Sequence, residues 1–330
     1  MKYSVIIPVF NRPDEVDELL HSLCEQQFRD FEVVVVEDGS SLPCAEVVTK
    51  YSQQLNVHYY NKPNSGPGQT RNYGAERSQG EYLIILDSDC ILPPDYFNAI
   101  EEELSKKSAE AFGGPDRAHH SFSNIQKAIN YSMTSFFTTG GIRGGKKKMD
   151  KFYPRSFNMG VKREVYLQLG GFSKMRFGED IDFSIRIFKA GCSCRLFPNA
   201  WVYHKRRTDL KKFFKQVHNS GIARINLYKK YPESLKPVHM LPALFTLGII
   251  LLLLGGLVCP YAFTLIAAYA LLVFIDSTIQ NRSLTIGCYS IAASFIQLIG
   301  YGTGFLRAWW MRCILGRNEE LQAFKKNFYN

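Results

Sequence analysis

Short apolar runs alternate with polar turns through the amino-terminal part of the chain, and each run has the length of a strand. Residues 3–10, 31–36, 57–60 and 81–86 are such runs, with Val5, Ile6, Ile7 and Val9 in the first and Leu83, Ile84, Ile85 and Leu86 in the fourth. Runs this short and this uniformly apolar are expected of strands covered on both faces, as in a parallel sheet. Helix signals stand between them. Pro13 and Asp14 open one helix, with Leu19, Leu20 and Leu23 on its buried face, and Gly66-Pro67-Gly68 leads into another that opens with Gln69, Thr70, Arg71 and Asn72. The repeating strand, turn and helix predict an α/β fold whose mostly parallel central sheet is covered by helices on both faces.

Farther along, the pattern predicts a helix over 93–107, a short strand over 109–114, a helix over 163–169, strand-like segments at 195–197 and 201–204, and a basic helix over 210–231. Residues 177–188 read as a helix with Ile181, Ile185 and Phe188 on one face, which places Glu179 and Asp180 at its start. Residues 140–148 combine glycines with lysines and lack apolar periodicity, so they read as a loop, either a lid over a polyphosphate or a solvated connection.

The carboxyl-terminal part changes character. Residues 240–275 hold no formal charge over 36 positions, and residues 284–306 add another 23. A bilayer span takes roughly 20 apolar residues. Gly255, Gly256 and Pro260 interrupt the first stretch, which therefore reads as a tight two-helix hairpin, and the second reads as one span. A buried helix pair is the other reading, but no globular partner is left to cover it. The expected organisation is an α/β domain over 1–235, a membrane-embedded region of two or three helices over 236–310, and a basic tail over 311–330. Basic flanks stay in the cytoplasm, so residues 205–236 hold the amino-terminal domain inside. The tail, with Arg307, Arg312, Arg317, Lys325 and Lys326 about it, favours the same side, whereas three full spans would put it outside. Either the first stretch spans once, or part of the region lies in the interface with Trp309 and Trp310 as anchors.

Charge sharpens this division. The net +10 conceals 11 basic against 20 acidic residues over 1–140, 23 against 7 over 141–240, and 6 against 3 over 241–330. A basic middle next to apolar helices points to an anionic membrane surface or a polyphosphate ligand, and no nucleic-acid-binding module accompanies it. The eight cysteines are scattered without metal-site spacing, and no secretory signal is expected, so reduced thiols on the cytosolic side are the simplest reading.

The candidate chemistry gathers where the fourth run ends, at Asp87-Ser88-Asp89. Ligands of open α/β sheets bind at the carboxyl ends of strands. Two carboxylates one residue apart can hold a hard divalent cation there, or can simply form an acidic turn. Four further stretches recur around it: Val5 to Asn11, Glu37-Asp38-Gly39-Ser40, Gly68 to Asn72, and Gly178-Glu179-Asp180-Ile181-Asp182 with Arg186. In this order, over about the first 200 residues, they resemble the family 2 inverting glycosyltransferases of the GT-A fold.

The resemblance implies a GT-A nucleotide-binding fold followed by membrane helices, on the cytoplasmic side of a bacterial inner membrane. It implies nucleotide-sugar binding at Pro8, Asp38, Arg71 and Asp87, a Mg2+ or Mn2+ ion at Asp87 and Asp89, and Asp180 as the catalytic base. His204 sits where some relatives place a group near the metal or phosphates; a core histidine satisfied by its neighbours is the other reading. The implied reaction moves one sugar from a nucleotide-diphosphate sugar, UDP-sugar favoured, to a hydroxyl of a lipid-linked or glycan acceptor in surface polysaccharide or glycolipid synthesis. Transfer to a polyprenyl phosphate, or a non-catalytic scaffold that retains the fold, are the alternatives. Processive relatives carry Gln-x-x-Arg-Trp after the base, and here that helix reads Gln216-Val217-His218-Asn219-Ser220-Gly221, which disfavours a processive synthase.

Overall fold

The computed structural model describes residues 1–117, 119, 121–140, 152–205 and 207–317. The loop expected at 140–148, apart from Gly140, and the tail lysines Lys325 and Lys326 lie outside the described residues. In chain order the elements are β1 (Tyr3–Val9), α1 (Pro13–Cys24), β2 (Phe31–Asp38), α2 (Ala45–Tyr51), β3 (Val57–Lys62), α3 (Pro67–Glu76), β4 (Tyr82–Leu86), β5 (Cys90–Ile91), α4 (Tyr96–Lys106), β6 (Ala111–Gly113) and β7 (Asp116–Arg117). There follow α5 (Asn124–Thr134), α6 (Phe136–Thr139), β8 (Asn158–Lys162), α7 (Arg163–Gln168), α8 (Glu179–Lys189), β9 (Cys194–Leu196) and β10 (Val202–His204). Four long helices come next: α9 (Leu210–Lys230), α10 (Leu241–Gly256), α11 (Ala262–Asn281) and α12 (Leu284–Trp309).

Seven strands form the main sheet in the order β3-β2-β1-β4-β8-β6-β9. β3, β2, β1 and β4 are parallel, β8 runs against both of its neighbours, and β9 is parallel to β6. Successive side chains point to opposite faces of a strand, and here both faces are core. Val5, Ile7, Val33, Val35, Ile84 and Leu86 pack under α1, α2 and α4, while Ile6, Val34, Val36, Leu83 and Ile85 pack with Phe172, Phe183 and Ile187 on the α3, α7 and α8 side. Each of these strand residues is fully buried, which is why polar alternation is missing from the runs. Leu19, Leu20 and Leu23 of α1 are buried as the pattern requires, behind Pro13 in the first turn. In α8 the buried face is shifted: Ile185 is buried as the pattern requires and Phe183 and Ile187 are fully enclosed, while Ile181 and Phe188 are half-buried, Phe188 meeting Tyr153 edge-on at 5.2 Å.

The described chain divides into two compact units, one built on Met1–Arg117 and Asp150–His204, the other on Ala118–Met149 and Lys205–Leu321. The first holds both sheets. The second is helical, and α9, α5, α10 and α11 all pack against α12. Ala128, Ile129 and Met133 of α5, Phe213 and Val217 of α9, and Ile286 and Ala293 of α12 form its core. Residues 240–275 are a hairpin, as Gly255, Gly256 and Pro260 foretell: α10 ends at Gly256 and α11 starts at Ala262. With α12 there are, among the described residues, three helices long and apolar enough to cross a membrane.

Candidate active site

The site lies in the sheet unit, at the carboxyl end of β4. The backbone N–H of Cys90 donates to the Asp87 carbonyl at 3.1 Å, so the chain turns directly from β4 into β5 with Asp87 and Asp89 on the turn. β10 pairs with β5 in a register that sets His204 opposite Cys90. The imidazole thereby falls beside the acidic turn, with Nε2 3.1 Å from Asp89 Oδ1 and 4.0 Å from Asp87 Oδ2. Its Nδ1 lies 3.8 Å from Asp116 Oδ2 on β7, the other neighbour of β10, and its ring stacks on Phe157 at 4.7 Å.

This donor set suits a hard divalent cation, since two carboxylates and one imidazole nitrogen offer oxygen and nitrogen to Mg2+ or Mn2+. Asp89, Cys90 and His204 each place a ligand atom within 4.8 Å of the others. Cys90 is nonetheless unsuited: burial pushes its thiol well up, and Sγ donates to the Phe157 carbonyl at 3.4 Å. Arg12, just beyond β1, reaches Asp89 Oδ2 at 3.2 Å and Glu15 at 2.6 Å, so the acidic turn is also met by a guanidinium.

Arg71 ties the turn to α8. It projects from α3, is buried, and pairs through Nη2 with Asp87 Oδ1 at 2.6 Å and through Nη1 with Glu179 Oε1 at 3.3 Å, with its guanidinium over Phe172 at 5.2 Å. Burial disfavours its charge, and the two carboxylates more than restore it. Glu179 is pushed up to about 7, first by burial and then by the adjacent Asp180, which together outweigh the pull of Arg71. Gly178 caps the start of α8 with a φ of +84°, a conformation that a side chain would strain.

Asp180 itself accepts from Arg155 Nη1 at 3.2 Å through Oδ2 and from the Ile181 backbone N–H at 2.8 Å through Oδ1. Arg186, one turn of α8 beyond Asp182, pairs with that carboxylate at 2.9 Å and donates to the carbonyls of Leu169 and Gly171, which makes it a clamp on the preceding turn. The structure thus brings Asp87, Asp89, His204 and Arg71 together, and reaches Asp180 through Glu179. Pro8 and Asp38 lie on the neighbouring strands β1 and β2, Pro8 in register with Val36. The Asp38 carboxylate is engaged within its own turn: Oδ1 accepts from Lys62 Nζ and the Ser65 N–H, and Oδ2 accepts from the Gly66 N–H at 2.9 Å.

Four residues escape the sequence reading as site groups. Arg12 and Arg155 carry no motif, and Asp116 reaches His204 only through the β7–β10 pairing. Glu179 is visible beside Asp180 as a first-turn acid, but its ion pair with Arg71 is not.

Residues 4–170, just over half of the chain, match the family described as Glycosyl transferase family 2. Among curated proteins, the poly(ribitol-phosphate) beta-N-acetylglucosaminyltransferase TarS of Staphylococcus aureus is 40% identical over 116 residues, 34% of this chain and 19% of the relative. Chondroitin synthase of Escherichia coli is 25% identical over 236 residues, 61% of this chain and 34% of the relative. The chain therefore spans about a fifth to a third of these two proteins. Among solved structures, mannosyltransferase PcManGT from Pyrobaculum calidifontis in complex with GDP-Man and Mn2+ superposes with a TM-score of 0.61 at 20% identity, over 90% of this chain and 87% of that one. S. aureus TarS 1-349 in complex with UDP superposes with a TM-score of 0.50 at 22% identity, over 68% and 66%. Both are likenesses of fold.

Proposed function

The chain belongs to glycosyl transferase family 2, and from that premise we propose that it moves one sugar from a nucleotide-diphosphate sugar to a hydroxyl of a membrane-bound acceptor, inverting the anomeric centre. The observation that carries this reading is the continuous chain of charged contacts from His204 and Asp89 through Asp87, Arg71 and Glu179 to the start of α8, where Asp180 stands. Asp180 is the base. It takes the proton of the acceptor hydroxyl as that oxygen attacks the anomeric carbon, and Arg155 and the Ile181 N–H hold its carboxylate in place. Asp87, Asp89 and His204 would hold Mg2+ or Mn2+, which when bound supplies Lewis-acid stabilisation to the diphosphate leaving group.

Arg71 keeps Asp87 and Glu179 from repelling one another and so fixes the distance between the phosphate side and α8. Asp38 serves the nucleotide side through the Ser65–Gly66 backbone that its carboxylate holds, and Pro8, Arg71 and Asp87 serve the nucleotide-sugar with it. A UDP-sugar remains the favoured donor. TarS, solved with UDP, supports it, and the PcManGT complex with GDP-Man makes GDP-sugars the first competitor. The apolar helices and the basic α9 support a bacterial inner-membrane location with the sheet unit on the cytoplasmic side.

The test is a panel of nucleotide-sugars incubated with detergent-solubilised protein and Mg2+ or Mn2+, scored for free nucleoside diphosphate, with Asp89→Ala as control. Release from one donor that depends on the metal and disappears in the control is the expected result. No release from any donor in the presence of lipid-linked acceptors would count against the reading.

A further inference from the structure

Three helices of the second unit are apolar enough to cross a bilayer, yet their surroundings differ. In α12, 39% of the most apolar window is buried inside the protein, against 11% for α10 and for α11. What buries α12 decides the matter. α9 lies along its carboxyl-terminal half: a methyl on Gly221 would collide with the Tyr301 carbonyl, one on Gly304 with the His218 carbonyl, and one on Gly300 with Val217. Tyr228 stacks on Trp309, and Arg312 donates to Asn226. α9 carries Lys211, Lys212, Lys215, Arg224, Lys229 and Lys230 within its 21 residues. A charged side chain at the bilayer centre costs at least about 2.5–3.5 kcal/mol even on the lenient insertion scale, so a helix with six of them does not lie in hydrocarbon. Whatever α9 flanks is therefore outside the hydrocarbon too, which removes α12 from about residue 298 onward. The remaining 284–297 extends only about 21 Å at 1.5 Å per residue, less than the ~30 Å core. That part also packs on α5, through Ile286 and Ala293 against Ala128 and Ile129.

The hairpin is different. Pro242 and Thr246 still rest on α12 at Gly302, and Val273 and Ser277 are buried, Ser277 donating to Ser290 at 2.7 Å. Between these anchors, residues 247–272 form two mostly exposed apolar arms, touched by the rest of the unit at Tyr269, which packs on Phe295 at 5.4 Å and donates to the Phe137 carbonyl at 3.2 Å. Each arm reaches about 15 Å at 1.5 Å per residue, roughly one leaflet of the ~30 Å core. The tip that joins them, Leu257-Val258-Cys259-Pro260-Tyr261, holds no charged residue, and Leu257, Val258 and Tyr261 are 80%, 90% and 79% exposed. A tip meeting water on the far side would not be this apolar. Most of its backbone donors are also met locally: the N–H groups of Leu257, Val258, Cys259, Ala262, Phe263 and Thr264 donate to carbonyls of residues 254–261, and Pro260 has none to give. Backbone satisfied internally is what hydrocarbon requires.

We infer that α10 and α11 form a re-entrant hairpin that dips into one leaflet and returns, and that α12 does not cross the bilayer. The partner of the exposed hairpin face is the acyl region of that leaflet. Both flanks of the hairpin, Arg282 between α11 and α12, and Arg307, Arg312 and Arg317 beyond it then share one side with α9. This removes the conflict between three spans and a basic tail. The inference rests on the reading that residues 240–275 meet a bilayer, and on nothing about donor or acceptor.

The experiment uses full-length chains in sealed vesicles of both orientations, each with one cysteine, at Cys259, Ser283→Cys or Arg317→Cys, and serine at the other cysteine positions. A membrane-impermeant maleimide is expected to reach positions 283 and 317 from the same face and position 259 from neither until detergent is added. Reaction of 283 and 317 from opposite faces overturns the inference for α12, and reaction of 259 from the face opposite 283 overturns it for the hairpin. Should the serine-replaced chains fail to accumulate, protease removal of tags placed before Met1 and after Asn330 of the unsubstituted chain gives the answer for α12: release of both from one orientation supports the inference there, and release from opposite orientations overturns it. Recovery of the chain in the soluble fraction would instead remove the bilayer reading itself.

Discussion

Arg71 in the sheet unit is buried between two carboxylates, whereas Gly304 in the helical unit is buried against bare backbone of α9. Both positions join elements distant in sequence, and they do so by opposite means. The arginine brings charge that must be matched on each side, so α3, β4 and α8 are locked in one arrangement by the cost of leaving any member unpaired. The glycine brings no side chain, so at that point α9 and α12 meet by close approach, with shape as the constraint. Charge pairing fixes where reacting groups stand to within a hydrogen bond. Close packing serves where no group has to react.

The comparison can be broken at four points. The largest effect belongs to Asp180→Asn, which is expected to lower transfer by ~10²–10⁴-fold, the usual worth of a positioned base. Nucleotide affinity by calorimetry should stay unchanged, and full transfer activity would remove Asp180 as the base. Next comes Arg71→Ala, which leaves Asp87 and Glu179 facing each other without a counter-charge and is expected to destabilise the fold by about 3–5 kcal/mol. Thermal unfolding reads this, and Arg71→Lys should recover part of it by restoring charge without the fork. Gly304→Leu forces a side chain into the His218 carbonyl and is expected to cost about 1–3 kcal/mol or more of helical-unit stability. Nucleotide binding at the sheet unit is the control that should not move.

The smallest effect is a pH slope. Glu179 holds its proton more tightly in the folded state, at about 7, than an ordinary glutamate at 4.5. The unfolded chain therefore binds fewer protons in that window, and the stability this group contributes is present below about pH 4.5 and is lost as pH rises through 7. Melting temperatures between pH 5 and 7 should fall more steeply for the unsubstituted chain than for Glu179→Gln. Equal slopes would mean that Arg71 dominates the environment of Glu179.

How far the sequence foretells these arrangements follows from the range of the forces involved. The strands at 3–9 and 82–86 are legible because burial on both faces leaves an unbroken apolar run, and α1 because Pro13 and the leucine spacing are local signals. Asp87, Asp89 and Asp180 are legible because each sits at the end of such an element. Asp116 is not, since only the pairing of two short strands carries it to His204. The buried face of α8 is legible at Ile185 and misjudged at Ile181 and Phe188, because Phe183 and Ile187 answer to Phe172 and Tyr166, aromatic residues of a neighbouring segment, and not to the helix's own periodicity. In the helical unit, length and composition mark α12 as a span, and only its contact with the charged α9 argues otherwise.

The antiparallel β8 has a consequence for synthesis of the chain. β4 pairs with β1 on one side and with β8 on the other, and β8 is not made until α5 and α6 have been laid down for the second unit. At ~5–20 residues per second the ribosome takes roughly 4–15 s to pass from Leu86 to Lys162. For that interval the emerging sheet ends in an open edge of hydrophobic backbone, able to recruit any extended segment within reach. A chaperone that holds nascent chains, or a ribosome already docked at the bilayer, would act on this protein in that interval.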